Sequence, residues 1–526
     1  MSALPPRRTI ADSGGGLLPV LMGILLSACG SDSPEIAADD ENLRQASAAL
    51  ESKIRQQCSA CHLYPEPEIL PAWAWEKVIK RMYALAGATG GEAASPVGLP
   101  PMDEVIAHFK AQAPEREQPP PSYAHLASSP EFRSIALKPP GAEPTPAVSF
   151  VKLIPLSSPP KLDLLYCDMR HGLVVLQMLH LPGRPHRVVA KVPHPARVEV
   201  ADLNRDGRSD MLIADLGSMN PSDHDRGQLL YLQARDDGGL DTFPLLQNLG
   251  RVADVRAADV DGDGDLDLSV AVFGWRETGK LLYLENLGIA GADGKPQFAT
   301  HELDPRPGSI HAPIVDLDGD GRLDIVALFA QQYEVIEAYF NQGDNTFRRE
   351  TVFQAPHPDW GSTALDVADY DGDGDLDVGL ASGDTLDNST LKPHQGVRWF
   401  ENRGSLPFET KQFFTLPGAH GLRSHDLDGD GDLDLVAASF LPQFPYDIAR
   451  LPLKLESLVW LEQTDPAHFE RRSLESLRCD HPVLDVGDFD ADGDADIVVG
   501  NYALEPEKMG TIDPWVTLFE SLDTGS

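Results

Sequence analysis

Basic residues are scarce: 43 Lys and Arg stand against 82 Asp and Glu in 526 residues, a formal charge of −39 at pH 7. That balance argues against nucleic acid or an anionic surface as a partner. Cysteine is scarcer, five in all: Cys29, Cys58, Cys61, Cys167 and Cys479. There is one CxxC and no second, so a zinc site built on two such pairs is not supported. Beyond the first thirty residues no stretch is long and apolar enough to cross a membrane. The length leaves room for two or more domains.

What is abundant is one acidic nine-residue pattern, present six times and starting at Asp202, Asp259, Asp316, Asp369, Asp426 and Asp488, with spacings of 57, 57, 53, 57 and 62 residues. A fixed period of this length means an array of similar units. The six copies hold 27 of the 82 acidic residues. Carboxylates at positions 1, 3, 5 and 9, with glycine at 6 for a tight turn, suit a hard cation such as Ca²⁺, which takes six to eight oxygens. Without a cation four such aspartates would repel one another. The candidate ligands are Asp202, Asn204, Asp206 and Asp210; Asp259, Asp261, Asp263 and Asp267; Asp316, Asp318, Asp320 and Asp324; Asp369, Asp371, Asp373 and Asp377; Asp426, Asp428, Asp430 and Asp434; and Asp488, Asp490, Asp492 and Asp496. An EF-hand would need Glu at position 12 and flanking helices. Position 12 here is apolar (Ile213, Val270, Ala327, Leu380, Ala437, Val499) and the flanks read as strands.

After each loop comes a short buried strand, then an aromatic-rich one (residues 228–232, 280–284, 397–400, 458–461), then one that opens near a Phe (Phe243, Phe298, Phe347, Phe408, Phe469). Four strands per unit, repeated radially, is a β-propeller blade. The units resemble the FG-GAP/VCBS family of calcium-binding propellers, also found in integrin α chains, over about three quarters of the chain. A degenerate unit precedes the six, with strands at 147–154 and 162–166, and keeps only Asp163 at the ninth position; no metal is expected there. The last unit lacks a fourth strand. Residues 132–137 look like residues 469–474 and are expected to supply it, closing a seven-bladed ring and removing its exposed sheet edges.

The N-terminus reads as a targeting segment. Arg7 and Arg8 precede a short apolar run, Leu17 to Leu26, too short to span a bilayer. The run ends at Leu26, Ser27, Ala28 and Cys29 and resembles the bacterial lipobox. That resemblance implies cleavage before Cys29, its lipidation, and, with Gly30 following, an outer-membrane destination, periplasmic or surface-facing. Several acyl chains give stable anchoring. The expected parts are a signal peptide (1–28), a tether (29–48), a small all-α haem domain (49–113), a Pro-rich linker (114–131) and the all-β propeller (132–526).

Cys58, Cys61 and His62 form a CxxCH. Two thiols at that spacing can make thioethers to haem vinyl groups while the imidazole ligates iron. A thioredoxin pair would want a βαβ context, whereas a helix with Leu43, Ala46, Leu50 and Ile54 on one face precedes this one. The region is similar to a small class I cytochrome c. For the distal ligand the chain offers Met82, on a helix expected to bury Trp75, Val78 and Met82 together. Met102 is the rival and His108 a third. A last helix, 103–112, is expected to close against the first.

Cys167 and Cys479 fall on neighbouring blades; a ring-locking disulfide and two buried thiols are both open. On the propeller face opposite the loops lie His194, His311, His420, His481, Phe273, Trp275, Arg276, Gln331, Gln332 and Asp384, a candidate mouth for a ligand or protein. The plainer reading of the histidines is that backbone and water satisfy them. The expected function is an exported electron-transfer protein with one covalent haem c and about six Ca²⁺, served by a redox partner protein, its propeller a binding platform. The alternatives are a propeller-borne oxidoreductase feeding its own haem, and an adhesion or carbohydrate-binding module. No catalytic residue is assigned.

Overall fold

The computed structural model describes residues 47–60, 63–86, 99–115, 132–139, 141–289, 294–386, 390–441, 455–466, 468–504, 506–509 and 512–522. The signal segment, Cys29, most of the tether, Cys61, His62 and most of the linker lie outside them. The chain divides into two units, residues 1–52 and 53–526. No described helix is long and apolar enough to cross a membrane.

Seven four-strand antiparallel sheets follow in order, each strand pairing the next in sequence. The first strands begin at Val148, Pro195, Val252, Ser309, Ser362, Ala419 and Val483. In the fourth blade the first strand is split into Ser309–His311 and Ile314–Val315. Pro313 sits in the gap, where it has no N–H to give the ladder. The expected closure is found: Phe132–Leu137 pairs antiparallel with Val516–Ser521, so the seventh sheet takes its outermost strand from the N-terminal side. The degenerate unit forms a full blade, from Val148–Ser158 to His186–Lys191.

Second strands of the six blades with an acidic loop are wholly buried, as in Asp267–Val272 and Asp434–Ser439, which is why they read as continuous apolar runs. Fourth strands such as Phe347–Gln354 keep exposed residues. The hydrophobic core is correspondingly divided into wedges between successive blades. One joins Val326 and Ile336 of the fourth blade to Leu365, Val378 and Phe400 of the fifth. Another joins Val498 and Leu518 of the seventh to Val151 and Leu164 of the first, sealing the ring.

Upstream, residues 47–58 are helical (α1), followed by α2, Ala72–Leu85, and α3, Met102–Gln112. Trp75, Ile79 and Tyr83 are the buried stripe of α2, with Val78 and Met82 half-buried beside it. The expected face of Trp75, Val78 and Met82 is therefore rotated by about one position. Packing sets the rotation: Trp75 meets the ring of Phe109 of α3 in a tilted contact, 4.3 Å between ring centroids, and Tyr83 donates to the Pro100 carbonyl at 2.7 Å. The ring contacts of α3 thus fall on α2 and on Tyr64.

Candidate functional site

Each acidic loop joins a first strand to a second at one end of the ring. Position 6 is glycine in all six copies, with φ from 84° to 104°, where a Cβ would be strained. Position 4 is left-handed as well, even where it is Arg205 (φ 56°) or Ala491 (φ 64°). The turn folds the chain so that the first, third and fifth carboxylates converge. In five loops their oxygens lie within 4.8 Å of one another: Asp259/261/263, Asp316/318/320, Asp369/371/373, Asp426/428/430 and Asp488/490/492. Backbone N–H groups steady the first residue; Asp369 accepts from Asp373 at 3.1 Å and Gly374 at 2.9 Å. Asp371 carries a buried oxygen, Oδ1, that no donor reaches.

The ninth residue stands apart. Asp377 is buried and accepts from the backbone N–H of Tyr370 (3.3 Å) and Asn402 (2.7 Å) and from Trp399 Nε1 (3.0 Å). Asp267, Asp324, Asp434 and Asp496 each accept from position 2 of their own loop and from a residue on, or at the end of, the third strand. Asp210 accepts from Ala234 and from Tyr231 Oη. The aromatic residues of the third strands are thus partners of this carboxylate in several blades. In the blade without a metal pattern Asp163 keeps the same burial and accepts from Ser157 at 2.6 Å. Burial raises the carboxyl of Asp267 to about 6 and that of Asp377 to about 7, with backbone hydrogen bonds acting the other way.

Two loops differ in charge. Position 7 is Arg208 in the first and Arg322 in the third, and each guanidinium pairs with the fifth-position carboxylate, Asp206 or Asp320. The first loop is further tied by Asn204 Nδ2 donating to Asp206 at 2.8 Å.

At the opposite end of the ring, where first strands begin and second strands end, lies a cavity of about 800 Å³. Phe273, Trp275, Gln331, Asp384, His311 and His420 line it, as the sequence pointed to; His194, His481, Arg276 and Gln332 do not. The histidines are held by the protein. His194 Nδ1 meets the Met169 carbonyl at 2.9 Å, His420 Nδ1 meets that of Pro482 at 2.9 Å, and His481 is buried between Asn501 and Glu475. Burial pulls His420 down to about 4. Among the described residues no histidine joins a metal-like cluster.

Arginines at this mouth escaped the sequence reading: Arg170 ends the second strand of the first blade and Arg251 precedes the first strand of the third. Both occupy the strand-end positions that singled out the histidines and Phe273. Deeper in the channel, Arg197 pairs with Asp254 at 2.8 Å and Arg423 Nε donates to Asp485 at 3.3 Å. Arg81 of α2 lines the same cavity.

Cys167 and Cys479 are free and buried. Cys167 packs between the first and second blades, while Cys479 packs with Leu391, Leu441 and Leu455. The ring-locking disulfide is therefore not formed; each thiol is satisfied by its own wedge, and burial pushes that of Cys479 up to about 11.

In the CxxCH, Cys58 is a half-buried thiol, raised by burial. Burial raises the Tyr83 phenol to about 12, and Cys58 adds to the shift. Met102 is half-buried at the start of α3, and His108 lies 3.4 Å from Tyr64 Oη.

Comparison with known proteins agrees with the repeat. An FG-GAP-like repeat matches residues 316–380, from the third acidic loop into the second strand of the fifth blade. Curated proteins give no match. Among solved structures, a lectin from Agrocybe aegerita, described as recognising non-reducing terminal N-acetylglucosamine, shares 17% identity over 64% of this chain and 82% of its own, with a TM-score of 0.41. Virginiamycin B lyase from Staphylococcus aureus shares 13% over 74% of this chain and 99% of its own, also at 0.41. The chain is a seven-bladed propeller with an FG-GAP-like repeat.

Proposed function

We propose that the chain is an exported, Cys29-anchored c-type cytochrome whose calcium-stapled propeller is a binding platform, working with a redox partner protein at the outer membrane. The observation that carries this reading is the shared cavity: the propeller mouth is lined by Arg81, the neighbour of Met82 on α2. A ligand held there would sit against the helix that offers the distal haem ligand.

The donor sets fit the groups assigned to them. Three converging carboxylates with a donor-free oxygen, Asp371 Oδ1, suit a hard cation. The ninth aspartates hold the loops in shape. Cys58, with Cys61 and His62 beyond it, would hold the haem, and the half-buried Met82 would be its distal partner. Haem supplies one-electron chemistry when bound, and methionine ligation favours a higher potential than bis-histidine. What the chain itself contributes is position: Trp75, Ile79 and Phe109 fix α2.

The test is a visible spectrum of exported protein, oxidised and dithionite-reduced, with the mass of the haem-bearing peptide. A sharp reduced α-band and a thioether-linked haem are expected, along with a weak oxidised charge-transfer band that Met82→Ala abolishes and Met102→Ala spares. Absence of haem would reduce the reading to a calcium-dependent binding propeller. Reduction of the haem by a ligand bound at the mouth would turn it into an oxidoreductase, the alternative that the shared cavity favours.

A further inference from the structure

The chain carries −39, yet among the described residues five arginines and a single carboxylate, Asp384, line the mouth cavity. Two of the five, Arg197 and Arg423, are paired inside the channel. Arg251 is not. Its side chain is 7% exposed, and its Nε is buried with no acceptor. Its one hydrogen bond, to the Met219 carbonyl, is long at 3.5 Å, near the limit for such a bond. Its guanidinium lies 5.4 Å from the Phe273 ring centre. No described carboxylate pairs with it, and burial lowers it to about 10, with only the Tyr502 phenol acting the other way. An uncompensated buried charge is costly, by several kcal/mol per ion.

Arg170 repeats the pattern. Its Nε is buried without an acceptor, and its Nη2 reaches only the carbonyls of Ala503 and Leu504. Arg170, Arg251 and Tyr502 all line the cavity; both guanidiniums act on the Tyr502 phenol, which burial holds near 12, and the buried Asp168 carboxylate acts against them. The remaining walls of the corner at Tyr502 are apolar. Tyr502 Oη meets Met169 Sδ at 3.5 Å and Met219 Sδ at 4.0 Å, and Leu216 packs with both methionines.

We propose that this corner binds an organic monoanion, a carboxylate on an apolar body, with Arg251 and Arg170 receiving the carboxylate and Met169, Met219 and Phe273 the body. Guanidinium forks match the two oxygens of a carboxylate. A bare inorganic anion would leave most of an 800 Å³ cavity unfilled. A polyanion would meet the repulsion of the whole molecule with two guanidiniums not paired to a carboxylate to offset it. The inference rests on the propeller mouth being a binding site and adds the chemistry of what it binds.

The experiment is calorimetric titration of the full-length, calcium-loaded protein with octanoate, phenylacetate, octanamide and inorganic phosphate. At least one of the two acids is expected to bind at one per chain, the amide at least tenfold more weakly, and phosphate not at all. Arg251→Met should weaken the acid at least tenfold while the ligand-free Tm stays level or rises, because the variant removes an unpaired buried charge. The proposal is overturned by octanamide binding as tightly as octanoate, which would leave a binding mouth for neutral ligands, and by phosphate binding in place of the acids. No binding of any probe would sink both the ligand chemistry and the mouth as a small-molecule site. Acid binding that survives Arg251→Met, with a large loss of Tm, would make Arg251 a structural residue and overturn its role.

Discussion

Asp377 and Asp373 sit four residues apart in one loop and do different work. The oxygens of Asp373 converge with those of Asp369 and Asp371, while those of Asp377 hold the loop and two strands together through Tyr370, Asn402 and Trp399. Asp377→Asn would set an amide NH₂ against N–H donors, and we expect a loss of about 1–3 kcal/mol with calcium or with chelator. Asp373→Asn should cost stability in calcium and cost nothing in chelator, where it relieves repulsion. Urea melts of both variants in both buffers check this; a calcium-dependent effect of Asp377→Asn alone would refute the staple. Arginine at position 7 should make two of the six sites the weakest, since Arg208 and Arg322 already pair with Asp206 and Asp320. Metal analysis after desalting should therefore find about four retained ions, and Arg322→Asp should raise that number by one. The spacing made the convergence of the first, third and fifth carboxylates legible but not the separate place of the ninth, because it cannot tell which carboxylate turns inward. The clue was Asp163, a ninth-position aspartate kept in a blade that has lost the rest of the pattern.

At the scale of single elements, α2 shows how a helical stripe can be misread. Trp75, Val78 and Met82 fit a 3.6-residue period, and so do Trp75, Ile79 and Tyr83. Only the partners decide, and these are Phe109 and the Pro100 carbonyl. Trp75 is fully buried and also donates to the carbonyls of Pro67 and Leu70. Trp75→Ala should therefore cost about 3–5 kcal/mol, read from chemical unfolding of the helical region. Met82→Ala, on the half-buried flank, should cost far less and, on the proposed reading, act chiefly on the haem spectrum. A large stability loss from Met82→Ala with an unchanged spectrum would make that residue core and not ligand. The order of the blade strands, by contrast, was legible, because burial on both faces of the second strand leaves an uninterrupted apolar run after every acidic loop; third strands run on past the aromatic run, as Lys280–Ile289 does.

The whole molecule depends on one long-range pairing, and it too could be read from the sequence, since residues 132–137 repeat the pattern of a fourth strand. The mouth could be read in part, since Phe273, Trp275, His311, Gln331, Asp384 and His420 all line it; Arg81, Arg170 and Arg251 could not be placed there, because its walls come from the strand ends of many blades and from α2, far apart in the chain. In the ring, Ile135 pairs with Leu518 and Ala136 with Thr517, and Arg133 forms an ion pair with Glu520. Without this strand, Val516–Ser521 would be an open sheet edge facing solvent, which is an aggregation hazard. In an antiparallel pair, consecutive residues on an outermost strand alternate between bonding the neighbour and facing out. Of Ile135→Pro and Ala136→Pro, one must therefore delete a ladder bond, and that variant should be the more damaging. Amide exchange is expected to accelerate first in Val516–Ser521, then in Asp496–Gly500, while the third to fifth blades keep their protection until global unfolding. Because each wedge of core is shared by two blades, the opened seventh blade should next loosen the first, through Val151, Leu164 and Leu518. Exchange that accelerates evenly around all seven blades would instead mean that the ring opens as one cooperative unit, and that closure by the N-terminal strand is not its weak point.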